Sequence, residues 1–247
     1  MRPMKELGHR LRRLAVASAF TTMLLTAPGQ VAADPGSTVF PGMEIHQGST
    51  VCMVGLVETR LRVAMTSGQC DGGQSVVTDR DRKPIGNVVL GRRQVDADST
   101  ADTSMLPVEY EVIAIAPDVT ATDVLPTGRH LGSSPDMRAQ PGLPVCQLRS
   151  ATGQRCGSVS SVNNGRFVIT DMALDSRDFG GPVYTLTDEH NALIVGLVEG
   201  TWKSLPQIES WQAVMAQVYV DSHTYSPQQH PPALRMIGRH TGAAASS

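Results

Sequence analysis

Short apolar runs rich in β-branched residues recur along the chain, each closed by Gly, Pro, Asn or Asp. The pattern predicts strands at "VCMVGLVE" (51–58), "RVAMTS" (62–67), "QSVVTD" (74–79), "GNVVLGR" (86–92) and "YEVIAIA" (110–116). Further strands are predicted at "GSVSSV" (157–162), "RFVITDMA" (166–173), "GPVYTLT" (181–187) and "ALIVGLVEG" (192–200). Turn chemistry separates them, as in "DRDRKP", "VNNGR" and "TDEHN". Helical spacing occurs at "SWQAVMAQVYVDSH", where Trp211, Val214, Met215 and Val218 share one face. Many short strands without interleaved helices indicate an all-β sandwich or barrels rather than βαβ units. The Pro- and Gly-rich stretch "PTGRHLGSSPDMRAQPGLP" (126–144) looks like a connection between two β units, and no internal repeat is visible. The polar, proline-containing end from 226 to 247 reads as a disordered tail.

The N-terminus changes the picture. Arg2, Lys5, Arg10, Arg12 and Arg13 precede an apolar run from Leu14 to Ala27, and Val31-Ala32-Ala33 supplies small residues for cleavage. Basic, then apolar, then small is the order of a secretory signal peptide, here residues 1–33. The run is shorter than the ~20 residues a bilayer-spanning helix needs, which argues against an uncleaved anchor. No later stretch is apolar enough to span, so a secreted or cell-envelope location is expected. Export bears on the four cysteines, Cys52, Cys70, Cys146 and Cys156, which suggest two disulfides with three possible connectivities. Pairing of sequence neighbours is the simplest. With 23 acidic and 21 basic residues the net charge is −2, so nothing points to a nucleic-acid partner. No C-x-x-C pair occurs and the histidines are scattered, so no metal or cofactor is implied. The oligomeric state is not legible.

Candidate chemistry centres on "SRDFGGPVYT" (176–185). Asp178-Phe179-Gly180 matches the magnesium-binding letters of a kinase, but the Gly-rich loop, strand lysine and catalytic Asp/Asn loop are missing. The same letters resemble the Gly-Asp-Ser-Gly-Gly-Pro-Val loop of chymotrypsin-like serine proteases. "MTSGQC" (65–70) resembles their Thr-Ala-x-His-Cys segment, and "VCQLRSATGQRCGSV" (145–159) resembles the Cys hairpin of the bacterial streptogrisin-type branch. "ALIVGLVEG" resembles the strand that pairs with substrate backbone. The four occur in family order across most of residues 40–220, and the chain is identified on them as similar to a secreted bacterial member of that family.

The resemblance implies a fold of two antiparallel β-barrels with a C-terminal helix and an active site in the cleft between them. The implied division is an N-terminal barrel over 34–125, and a C-terminal barrel plus helix over 126–225. It implies the disulfides Cys52–Cys70 and Cys146–Cys156. It places Gln69 at the catalytic histidine, Phe179 at the nucleophile, and Asp102 at the aspartate, with Asp96 or Asp98 as alternatives. Glutamine has no basic nitrogen to take a proton, and a benzyl group cannot attack a carbonyl. Arg177 stands where the family has an oxyanion-loop glycine, with Asp178 and Gly180 as loop scaffold and Gly181-Pro182 after them. Glu199 and Gly200 would supply the peptide-pairing edge. Ser67 and Ser176 have no histidine near them in sequence, and His46, His130, His190 and His223 lack a family anchor.

The reading is therefore a serine protease homologue that has lost catalysis, a pseudoprotease binding peptide or protein in its cleft. In that reading Phe179 is either an exposed anchor or a plug turned into the old specificity pocket. The alternative is a serine-type endopeptidase with atypical or residual activity; a third is a paralogue that retains only its fold.

Overall fold

A computed structural model of the chain describes residues 36–93, 108–202 and 205–224, which lie in one compact unit. The expected signal peptide, Asp96, Asp98, Asp102 and the expected tail lie outside the described residues.

The first half contains β1 (Thr38–Val39), β2 (Glu44–Gln47), β3 (Thr50–Met53), β4 (Leu56–Glu58) and β5 (Val63–Thr66). It continues with β6 (Val76–Asp79), β7 (Pro84–Arg92) and β8 (Tyr110–Ile115). Seven of these form one antiparallel sheet in the order β3-β2-β6-β7-β8-β5-β4. The apolar run 51–58, expected as one strand, is two. Val54 N–H bonds Met43 C=O at 2.8 Å while Gly55 N–H bonds Met65 C=O at 2.7 Å, so the chain turns between two different partners. This bend makes β3 and β4 the two ends of the sheet, which stays open as a half-barrel. Gly55 is required there because a Cβ would run into Leu197 and sit 2.7 Å from Gly180 O.

After β9 (Thr120–Ala121), paired in parallel with β1, and β10 (His130–Gly132) comes the second half. Its strands are β11 (Pro144–Arg149), β12 (Gly153–Asn163), β13 (Arg166–Thr170), β14 (Pro182–Leu186), β15 (Asn191–Trp202) and β16 (Leu205–Ser210). β15 pairs with both β14 and β16, which closes the ring β15-β14-β11-β12-β13-β16 into a barrel. The expected connection at 126–144 thus contributes β10, laid parallel to Asn191–Leu193 on β15. Helix α1 (Trp211–Thr224) follows β16 directly and buries Trp211, Val214 and Val218, the face expected from its spacing.

Three apolar clusters hold this together. One fills the half-barrel around Ile45, Val77, Ile85 and Ile113, and one fills the barrel around Phe167, Ile169, Val183 and Ile208. The third lies between them, where Met53, Met65 and Tyr110 meet Leu148, Tyr184 and Leu197 and the buried face of α1. Both disulfides join sequence neighbours. Cys52–Cys70 ties β3 to the turn Gly68–Cys70, and Cys146–Cys156 joins β11 to β12 at paired positions. Closing such short loops is worth about 3 kcal/mol each in chain entropy. The all-β, two-barrel fold class with a C-terminal helix is the one expected, with its first barrel left open.

Candidate functional site

Where the two halves face each other, two short turns approach. On the first, β5 ends at Thr66 and Ser67 caps a single 3₁₀ turn, Gly68–Cys70, accepting the Gln69 N–H at 3.0 Å. Thr66 Oγ1 donates to Met53 C=O at 2.7 Å, and the Cys52–Cys70 bridge fixes the other end. Gln69 is thereby held with its side chain exposed. Its Nε2 donates to Glu109 Oε2 at 2.7 Å. Glu109 is buried at the entry to β8.

On the second turn, Asp175 caps Ser176–Asp178 in a reciprocal capping box. Asp178 is fully buried; it accepts Arg149 Nε at 3.1 Å, the Ser150 N–H at 2.9 Å and the Asp175 N–H at 3.1 Å. The loop is thus nailed to β11 through a buried ion pair. Gly180 follows at φ +76° and passes so close to Thr66 that a Cβ would collide with its hydroxyl, so only glycine fits. Gly180 N–H bonds Val198 C=O and Val198 N–H bonds Gly181 C=O, at 2.8 and 3.0 Å. Met53 N–H bonds Phe179 C=O at 2.8 Å, linking the loop to β3.

Phe179 is half-buried and its ring packs against the cores of both halves. The backbone around it is self-satisfied. Arg177 N–H is spent on Asp175 Oδ1 at 3.0 Å, and Phe179 N–H turns back on Ser176 C=O at 3.4 Å. An oxyanion site needs two such donors free and convergent. The Arg177 guanidinium, at the surface, folds onto Asp175 (Nε to Oδ1 3.2 Å), whose carboxyl its hydrogen bonds hold below the usual range.

Glu199, expected with Gly200 to supply the peptide-pairing edge, has its side chain buried. At the bulge in β15 between Val198 and Gly200, Glu199 turns its side chain inward, where Ser67 Oγ donates to its Oε2 at 2.7 Å. Burial, then a hydrogen bond and the charge of Glu109, push the Glu199 carboxyl well above the ordinary glutamate range. Gly200, beyond the bulge, pairs with Gln207 and has open space where a Cβ would stand.

The four described histidines are engaged elsewhere. His46 shares a hydrogen bond with Glu44 on β2, and His130 with Asp123, both at 3.0 Å. His190 sits in the β14–β15 turn, and His223 lies against Tyr219 C=O in the last turn of α1. Ser67 and Ser176 contact none of them: Ser67 is bound to Glu199, and Ser176 is an exposed turn residue. Among the described residues no group of three or more His, Cys, Asp or Glu side chains is arranged to hold a metal ion. No described helix is long and apolar enough to cross a membrane.

Sequence reasoning missed Glu109 as the partner of Gln69, and Arg149 as the partner of Asp178. The signal for the first was present: Glu109 and Glu111 alternate in "VEYEVIAIA", and carboxylates at the buried phase of an apolar strand need partners.

No family model matches the chain. Two relatives from Mycobacterium tuberculosis do, the uncharacterized proteins MT1863 of strain CDC 1551 / Oshkosh and Rv1815 of strain H37Rv. Each is 42% identical over 215 residues, which cover 85% of this chain and 96% of the relative. Among solved structures, a glutamic-acid-specific serine protease superposes with TM-score 0.54 at 14% identity, over 72% of this chain and 97% of that one. Thermobifida fusca protease A gives TM-score 0.51 at 19% identity, over 73% and 96%. The chain belongs to one family with the two mycobacterial proteins, and its fold is that of the chymotrypsin-like serine proteases.

Proposed function

We propose that this protein is a secreted, non-catalytic homologue of the chymotrypsin-like endopeptidases that holds extended peptide or protein in the cleft between its halves. The observation that carries the reading is the Phe179 loop. The position that the resemblance gives to the nucleophile holds a ring packed on both cores, and the two N–H groups beside it are consumed within the loop. Gln69 supports it, since an amide that donates to Glu109 has no lone pair on that nitrogen with which to accept a proton. Among the described residues of the two turns, attack, proton transfer and oxyanion stabilisation each lack their group.

Binding is favoured by what persists. Asp178, Gly180 and the disulfide beside Gln69 keep the two turns in register. The β15 edge beyond Val198 continues past the loop's last bond to it, the kind of edge to which an extended peptide adds as a strand. The two disulfides and the N-terminal basic-apolar-small order fit an exported protein.

A fluorophosphonate probe tests the chemistry: the wild-type chain is expected to stay unlabelled, and a stoichiometric adduct would overturn the reading. The variant Gln69→His, Arg177→Gly, Phe179→Ser is expected to gain labelling, because Glu109 already stands ready to orient an imidazole. Calorimetry with a panel of extended peptides tests the binding arm, and no heat at any concentration would remove it.

A further inference from the structure

Glu111 belongs to neither turn, and it stands where an acid is least expected. On β8 it continues the row of Ile113 and Ile115, whose side chains fill the half-barrel, and it is only 3% exposed. Gln47, 1% exposed, reaches the same end of that interior from β2 and donates its Nε2 to Glu111 Oε2. The pair does not satisfy itself. Gln47 Oε1 is buried with no hydrogen-bond partner among the described residues. Glu111 Oε1 has none either, but it is not sealed in, because Glu111 lines a pocket of about 390 Å³ at that end of the half-barrel. Two acceptor oxygens are thus left over at the floor, a shortage of donors that costs free energy until one arrives.

Gly91 leaves the room for this pocket. It pairs with Glu111 across β7 and β8, and a Cβ there would stand 3.4 Å from Glu111 Cγ. Val88 supplies an apolar wall. The rim carries the opposite charge. Arg93, exposed, spends Nη1 on Asp71 C=O at 3.1 Å, and its other nitrogens make no hydrogen bond among the described residues. Arg92 beside it is committed to Asp221, and Asp71 Oδ1 to the Gly73 N–H at 2.7 Å. Every lining residue lies between 71 and 111, and none comes from the Phe179 loop or β15, so the pocket is separate from the cleft.

We propose that this pocket binds a small zwitterion, a free amino acid or a dipeptide, with its ammonium toward Glu111 and its carboxylate toward Arg93. An ammonium brings three N–H donors and a positive charge to a floor short of both. A carboxylate matches the planar fork of a guanidinium. A ligand with positive charge alone would oppose Arg93, and one with negative charge alone would oppose Glu111. The volume suits a molecule of this size. Nothing here depends on peptide binding in the cleft, so the two readings stand or fall separately.

Calorimetry tests it, with the common free amino acids and glycylglycine titrated in turn into the wild-type chain. The measurement is made at about pH 8, above the value of about 7 to which burial pushes the Glu111 carboxyl. At least one of these probes is expected to saturate, shifting the NMR methyl signals of Val88 and leaving those of Val198, beside the cleft loop, unmoved. Tighter binding of glycylglycine than of any free amino acid would make a peptide the source of the zwitterion. N-acetylation or C-amidation of the best probe should each weaken it at least about tenfold, since each deletes one charge-assisted contact. Glu111→Gln should weaken that probe by at least about tenfold. Arg93→Ala, an exposed change that leaves the fold intact, should do the same for the zwitterion yet leave its C-amidated form within about twofold. Absence of any saturating probe, methyl shifts centred on Val198, or an affinity indifferent to N-acetylation or to Arg93→Ala would overturn the site.

Discussion

Asp178 shows how one side chain can keep a loop after its chemistry has gone. With no solvent exposure it needs every acceptor bond it makes, and those bonds set the path of Ser176–Gly181. Asp178→Ala would leave Arg149, itself mostly buried, with an uncompensated charge and two N–H groups without acceptors. The expected loss is about 3–5 kcal/mol, seen as a lower urea midpoint. Arg177→Ala should cost no more than about 0.5 kcal/mol, because its pair with Asp175 is at the surface. Equal effects of the two substitutions would contradict the division between scaffold and surface. At this scale the motifs led to two turns of the structure: Gln69 lies in the turn Gly68–Cys70, and Asp178, Phe179 and Gly180 in or just after the turn Ser176–Asp178. The motifs did not mark Glu109, whose signal lay instead in its place within the apolar run 108–116. Glu109 meets Gln69 from the entry to β8, in a part of the chain that no motif covers.

Secondary structure was legible where the strand carries its own pattern, and hidden where tertiary closure decides. β5, β8, β13 and β14 alternate or run apolar in their own sequence. β16, "LPQIES", contains a proline and a glutamate and reads as loop; it is a strand because β13 and β15 both need a partner to close the barrel. α1 was visible from its spacing, but its anchor was not. Asp221, buried on that helix, accepts Arg92 Nη2 at 2.8 Å and Tyr110 Oη at 2.7 Å, which ties the C-terminal helix back to β7 and β8 of the first half. Burial raises the Asp221 carboxyl, and the hydrogen bonds from Arg92, Tyr110 and Gln217 more than offset it, so the net shift is downward. A depressed carboxyl stabilises above its unfolded pKa of about 3.9, and that contribution is lost as pH falls through the folded value. Asp221→Ala should therefore lower the urea midpoint by an amount equivalent to about 2–3 kcal/mol at neutral pH, and by less in strong acid. A loss that does not shrink on acidification would mean that α1 is held by its apolar face alone.

Among the described residues the buried acids outnumber the buried cations, which gives the opposite dependence between about pH 4 and about pH 7. Burial pushes Glu111 up to about 7 against the hydrogen bond from Gln47, with Asp71 adding to the rise and Arg93 opposing it. Burial also pushes Glu209 up to about 7 against Arg166, and Glu199 rises with them. In the unfolded chain each of these acids releases its proton near its ordinary value of about 4.3. Between there and about 7 the folded state holds more protons than the unfolded one, so stability falls as pH rises. The contribution of Glu111 and of Glu209 is fully present below that window and gone above it, roughly 3 kcal/mol for each. Adding the acid limb set by Asp221, the urea midpoint should peak in mildly acidic solution and decline toward neutrality. Glu111→Gln separates this from a general charge effect. It keeps a hydrogen-bonding partner for Gln47 and deletes one titration, so its midpoint should decline less steeply than that of the wild type, by the equivalent of roughly 3 kcal/mol between about pH 5 and about pH 8. A wild-type midpoint that climbs across that interval would mean that the buried acids are ionised in the folded chain.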